Sequence, residues 1–186
     1  MASGVTHAIA GISIATCFYR RSVPRSVWVV GTVCAILPDV DATFSAFGVE
    51  RGSLLGHRGL THSLLFAAVL AALIVRVGYA TGVPGLGRRA LWSYLFLSMA
   101  SHGFLDAFTN GGTGIAFFSP LSNHRYFFPW RPVEVSPLSI IRFFSARGLT
   151  ILISEATWIW PPAALLALSA ILWRRMHHPP ADAAAP

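Results

Sequence analysis

Four of the seven carboxylates in this 186-residue chain, Asp39, Asp41, Asp106 and Glu155, stand in or at the edge of apolar stretches. So do four of the seven histidines: His7, His57, His62 and His102. A carboxylate taken out of water is costly unless it is paired or bound to a metal, so this distribution calls for a partner. Imidazole and carboxylate donors without thiolates suit zinc or another borderline divalent ion. Such an ion activates water for hydrolysis near neutral pH, and two ions a few ångströms apart suit a phosphodiester.

Spacing sharpens the set. His102 and Asp106 in SHGFLD are i, i+4 and share a helix face. That spacing presents two metal ligands together, and equally a His–Asp hydrogen bond. In LPDVD, Pro38 is expected to end or turn a helix, leaving Asp39 and Asp41 at the turn as ligands or as a solvated helix end. His57 and His62 in HRGLTHS are i, i+5 and cannot share a helix face. His57 and Arg58 are therefore placed in a loop, Thr61 at an N-cap and His62 on the first turn. Arg58 either neutralises a substrate phosphate, whose geometry guanidinium matches, or pairs with Asp39 or Asp41.

The elements that must position these groups are apolar. Hydrophobic residues make up 54% of the chain and charged residues 11%, against about 25% charged in an ordinary soluble domain. Mean hydropathy is +0.61. The expected fold is all-α: one membrane-embedded helical domain over residues 1–176, then a disordered tail over 177–186 that leaves His177 and His178 solvated. Five apolar segments form the expected bundle, at 5–19, 27–37, 60–80, 90–108 and 149–173, with a kink at Pro161-Pro162. If they alternate in direction, every candidate ligand reaches one end. Residues 110–148 form a long loop whose aromatics (RYFFPW) suit a lid or an interfacial ledge. Cys17 and Cys34 read as buried small hydrophobes. The N-terminus lacks the positive region of a secretory signal and is expected to be retained.

The stretches THAIAG (6–11), LPDVD (37–41), HRGLTHS (57–63), SHGFLDAFTNGG (101–112), SPLSNHRYFFPWRPVEVSP (119–137) and SEATWIWPP (154–162) resemble, in order and over nearly the whole chain, the YdjM-type inner-membrane metal-dependent hydrolases. More distantly, the ligand order is similar to the zinc-dependent phospholipase C and single-strand nuclease group. That resemblance implies metal-cluster roles for Asp39 or Asp41, His57 or His62, the His102/Asp106 pair, and Glu155. Ile151 stands where the histidine partner of Glu155 would be, and His7 is the one substitute near the missing N-terminal Trp ligand. These departures imply one or two ions rather than three. His124 and Arg125 either contact substrate or mark a turn.

The resulting expectation is a multi-pass hydrolase of the bacterial inner membrane that binds zinc through His7, Asp39, His62, His102, Asp106 and Glu155. Asp41 or His57 handles the proton and Arg58 steadies charge. The substrate is a phosphoester such as a phospholipid or a lipid-linked phosphate, and membrane lipid is a partner. All fourteen basic residues are arginines, scattered between apolar runs without a continuous basic face, so no stable nucleic-acid partner is expected. Arg20, Arg21, Arg25, Arg76, Arg88, Arg89, Arg174 and Arg175 share the end away from the site, which the positive-inside rule makes cytoplasmic, leaving the site extracytoplasmic. The rival readings are an ion- or proton-coupled transporter and a non-catalytic membrane protein with a structural metal site.

Overall fold

The computed structural model describes residues 1–137 and 140–177. It is all-helical, with isolated bridges but no strand among the described residues. α1 (Gly4–Phe18) starts at Ser3, whose Oγ accepts the Thr6 N–H at 3.3 Å and so satisfies one first-turn donor. α2 (Arg25–Ile36) runs on into a 3-10 helix, Leu37–Phe47. Pro38 does follow the end of the α-helix at Ile36, as expected, although the chain winds on as a 3-10 helix. It sits in the first turn of the 3-10 segment, where its missing N–H costs nothing and its fixed φ is already helical. Gly48 ends the rod in the left-handed conformation, at φ 80°.

A short 3-10 turn, Leu60–His62, precedes α3 (Leu64–Gly78). The N-cap of α3 is Ser63, whose Oγ accepts the Phe66 N–H at 3.0 Å, and not Thr61. α4 (Arg88–Ala107) follows, then the four-residue α5 (Ile140–Phe143), α6 (Ala146–Trp158) and α7 (Trp160–His177). α6 and α7 are bent by 43° at a break at Ile159, just ahead of Pro161 and Pro162, neither of which has an N–H to continue the ladder. Among the described residues, Arg25–Phe47 is the one helix long and apolar enough to cross a membrane; the bent α6–α7 pair makes a second if it acts as one span. His177 closes α7, and the tail expected beyond it lies outside the described residues.

α1 packs on α2, α4 and α7, while α4 also contacts α2 and α3. Val27, Cys34, Ala71, Val75, Leu91 and Leu95 fill the space between α2, α3 and α4. Gly31 is required there: a Cβ would stand 2.1 Å from the Tyr94 ring. Cys34 is buried as expected, but Cys17 is exposed. Large apolar side chains such as Val29, Val77, Leu165 and Trp173 cover the outer surface, a pattern that water would penalise and hydrocarbon would not.

The expected 110–148 loop is only partly a loop, because α5 and the first turn of α6 fall inside it. Its first half folds back over the start of α3. Ile115 and Tyr126 exchange backbone hydrogen bonds at 2.9 Å, Ala116 N–H donates to Arg58 O at 3.1 Å, and Leu64 N–H donates to Phe117 O at 3.0 Å. Phe104, Phe108, Phe128, Trp130 and Trp158 form an aromatic cluster that joins this loop to α4 and α6.

Candidate metal centre

The rod made of α2 and its 3-10 extension delivers Asp39 and Asp41, the turn before α3 delivers His57 and His62, and the last turns of α4 deliver His102 and Asp106. Gly103 permits this meeting, since a Cβ there would sit 2.9 Å from His62 O. Two groups of donors result: Asp39, His62, His102 and Asp106, and beside them Asp41, His57 and His62.

Hydrogen bonding distinguishes the two. Asp41 is saturated: Oδ1 accepts from His57 Nδ1 at 2.7 Å, while Oδ2 accepts from Arg58 N–H at 3.2 Å and from the Thr61 hydroxyl, and lies 3.1 Å from His62 Nδ1. In the first group, Asp39 Oδ1 and Oδ2, His62 Nε2, His102 Nε2 and Asp106 Oδ2 are buried and find no hydrogen-bond partner among the described residues. Buried polar atoms are rarely left this way. His102 Nδ1 must donate to Ala35 O at 2.8 Å, so its Nε2 points a bare lone pair at Asp39 Oδ1, 3.2 Å away. His62 Nδ1 is engaged by Asp41, which turns its Nε2 toward Asp39 Oδ1 at 3.8 Å and Asp106 Oδ2 at 3.9 Å. Lone pairs facing lone pairs repel unless a cation lies between them.

The donors fit an ion. Ligand bonds of about 2.0–2.1 Å in a tetrahedron put neighbouring donors about 3.3 Å apart; the separations here are 3.2 Å for His102–Asp39 and 3.8 and 3.9 Å from His62 to Asp39 and Asp106, so a bound ion would draw His62 inward. The outer contacts fit as well, because a metal-binding histidine hands its other ring nitrogen to a carboxylate or carbonyl, as His62 and His102 do. Burial works to lower the pKa of His62, which lies ahead of α3 and outside the apolar helix. The Asp39 and Asp41 carboxylates beside the ring outweigh it and push the value up to about 9. A proton there does part of the work of a cation.

The remaining candidates stand differently. His7 is fully buried and stacks on His102, with ring centroids 3.6 Å apart; its Nε2 lies 3.4 Å from Asp106 Oδ1, and neither of its ring nitrogens has a hydrogen-bond partner among the described residues. It adjoins the four-donor group without being one of its members. Glu155 belongs to neither group: it accepts from Ser3 N–H, Ser3 Oγ at 2.6 Å and Thr6 Oγ1 at 2.7 Å, tying the start of α1 to α6. Arg58 pairs with neither Asp39 nor Asp41 through its guanidinium. Its Nε lies 3.3 Å from Asp106 Oδ2, while Nη1 and Nη2 donate to Gly111 O at 2.8 Å and Thr109 Oγ1 at 2.9 Å. It holds a left-handed φ of 66°, uncommon for a residue with a side chain. Gly112 makes room for it, since a Cβ there would meet Nη1 at 2.2 Å.

Sequence reasoning missed the role of Thr61, which it assigned to a cap. It also missed the clamp made by Arg125, whose guanidinium donates to Ser53 O, His57 O and Thr113 Oγ1 and pins the long loop over the His57 turn. Nothing local marks either role, because every partner but one lies far away in the chain. Asp39, His62, His102 and Asp106 can together hold a metal ion.

Comparison with known proteins agrees with the apolar composition and with the family resemblance. Inner membrane protein YbcI of Escherichia coli (strain K12) is 37% identical over 175 residues, covering 94% of this chain and 99% of that protein. The uncharacterized protein YvsG of Bacillus subtilis (strain 168) is 31% identical over 128 residues, or 64% of this chain and 75% of that one. No solved structure matches. The profile of the family described as YdjM inner membrane protein matches residues 1–180, and the chain belongs to that family.

Proposed function

We propose that the protein is a multi-pass inner-membrane hydrolase of a lipid-borne phosphoester, using one divalent ion, zinc by donor chemistry, held by Asp39, His62, His102 and Asp106. The observation that carries this reading is the meeting of Asp39, His62, His102 and Asp106, whose donor atoms lie within 4.8 Å of one another and include buried atoms without a hydrogen-bond partner among the described residues. The bound ion supplies Lewis-acid activation of water and of a phosphoryl oxygen. Asp41 fixes the His57 ring through Nδ1, leaving Nε2 as the proton acceptor and donor. His57 lines a polar cavity of about 390 Å³, where substrate would meet it. Arg58 holds Asp106 in place and, with its nitrogens engaged, acts as a positioning residue rather than as the phosphate clamp first expected. Zinc content of the purified full chain near one ion per protein, with turnover of a panel of lipid phosphoesters that chelation abolishes, is the expected result. A pure, folded protein with negligible metal and no metal-dependent turnover would refute it.

The apolar outer faces and the arginines at one end support a five-segment membrane bundle with the site extracytoplasmic. Cysteine-accessibility labelling at residues 51 and 88 should place them on opposite sides of the membrane. Four protein donors also favour a second reading, a closed structural site. X-ray absorption that finds a solvent oxygen on the ion supports catalysis; four protein donors alone would assign the ion a structural role.

A further inference from the structure

We propose that an arginine-lined cleft at the end of the bundle away from the four-donor centre binds the phosphate of an anionic phospholipid, gripped by Arg76, Arg88 and Arg89. The cleft, of about 760 Å³, opens between the last turn of α3, which carries Arg76, and the first turn of α4, which carries Arg88 and Arg89. Ala72, Val75, Trp92 and Ser93 complete the lining, and no carboxylate joins it among the described residues. None of the three arginines makes a hydrogen bond, ion pair or ring contact with a described residue.

The charge there has no internal counterpart. From Arg88 to Asp106, α4 rises about 27 Å at 1.5 Å per residue, roughly three Debye lengths at physiological salt. The other described carboxylates sit at the Asp106 end: Asp39 and Asp41 in the donor groups, Glu50 against Gly56, Glu134 bonded to Asn110, and Glu155 bonded to Thr6. Three like charges therefore face one opening that the acids are too far away to balance. Guanidinium groups match phosphate oxygens in pairs, so a phosphate is the anion this wall fits.

The walls also suit the rest of a lipid. Trp92 donates its indole N–H to Ala68 O at 3.1 Å and stacks on Phe96, with ring centroids 5.1 Å apart. This pair carries an apolar wall from the arginines toward the middle of α4, where an acyl chain would lie. Tryptophan favours the headgroup level of a bilayer, and the exposed Val69, Leu73 and Val77 of α3 suit hydrocarbon. The chain belongs to an inner-membrane family, so anionic headgroups are at hand. A choline ammonium would bring like charge to the arginines, so the cleft selects a net-negative headgroup over a zwitterionic one. The inference rests on the chain's place in a membrane and not on the hydrolase reading.

The test is calorimetric titration of the full chain in neutral detergent with dihexanoyl phosphatidylglycerol, dihexanoyl phosphatidylcholine and inorganic phosphate. Wild type is compared with Arg76→Gln/Arg88→Gln/Arg89→Gln. A control, Arg21→Gln/Arg25→Gln/Arg175→Gln, removes the same charge from the same end but outside the cleft. Phosphatidylglycerol should bind wild type and control alike, and lose about fivefold in affinity for each cleft arginine removed, or about a hundredfold in the triple variant. An equal loss in the control would assign the binding to diffuse charge and overturn the proposal. So would phosphatidylcholine or inorganic phosphate binding as tightly as phosphatidylglycerol, or no binding by the wild type. If the triple variant aggregates, the three single Arg→Gln variants replace it, each expected to lose about fivefold. Full affinity in all three would sink the assignment.

Discussion

Asp39→Asn isolates the ion from the fold. Neither oxygen of Asp39 has a hydrogen-bond partner among the described residues, so an isosteric amide breaks no internal bond and acts on whatever the carboxylate faces. If the four donors share one ion, about 10–16 kcal/mol of binding in such sites gives each roughly 3 kcal/mol. Losing one should weaken affinity by about a hundredfold or more. At an ion concentration one hundred times the wild-type Kd, binding stabilises the wild type by about 2.7 kcal/mol and the variant by only about 0.4 kcal/mol. The Tm increment on adding zinc should shrink by about 5–9 °C for a chain of this size. Thermal melts in detergent with and without zinc read the increment, and elemental analysis reads the content. A folded Asp39→Asn protein with full metal content and the wild-type increment would refute the four-donor assignment.

Further outcomes follow from the same geometry. Asp41→Asn removes the acceptor that orients His57 and His62, and metal titration should show affinity weakened by about 10–100-fold. Glu155→Gln should leave metal content unchanged and cost about 2–4 kcal/mol in denaturation, because its carboxylate serves three donors of Ser3 and Thr6 and no ion. Gly112→Ala, at φ 97° and against Arg58, should destabilise by about 1–3 kcal/mol in the same assay. The raised His62 pKa makes the metal-free protein keep a proton that it lacks when unfolded. Its stability contribution is full below about 6.5 and lost as pH rises through about 9, so metal-free melts should fall across that window. Zinc uptake at pH 7.5 should release a proton from His62, measurable by titration in weak buffer.

Much of this was legible in the chain. The apolar runs marked α1 and α4 to within two residues, because helices built almost wholly of apolar residues leave few polar interruptions. The His102/Asp106 spacing and the clustering of acids and histidines at the ends of those runs indicated which groups would meet. What was not legible depends on side-chain direction. Asp39 and Asp41 differ by two positions, yet one faces the orphaned donors and the other is saturated, a split made by the 3-10 winding around Pro38, which an expected end or turn of the helix does not specify. Of the two places expected for Arg58, a substrate phosphate or Asp39/Asp41, the second is not taken: its guanidinium reaches Asp106 and the far loop, which depends on a left-handed backbone and on Gly112. Glu155 looked like a ligand because it is an acid in an apolar helix; its donors come from the other end of the chain.

Gly11 connects the apolar interior to this chemistry. A methyl there would press on Ala35 at 2.9 Å, and the carbonyl of Ala35 is what holds the His102 ring in register. The separation of the first two helices is thereby a mechanical setting for an imidazole 67 residues further along the chain than Ala35. Anything that squeezes or spreads that pair would move the carbonyl that orients the His102 ring.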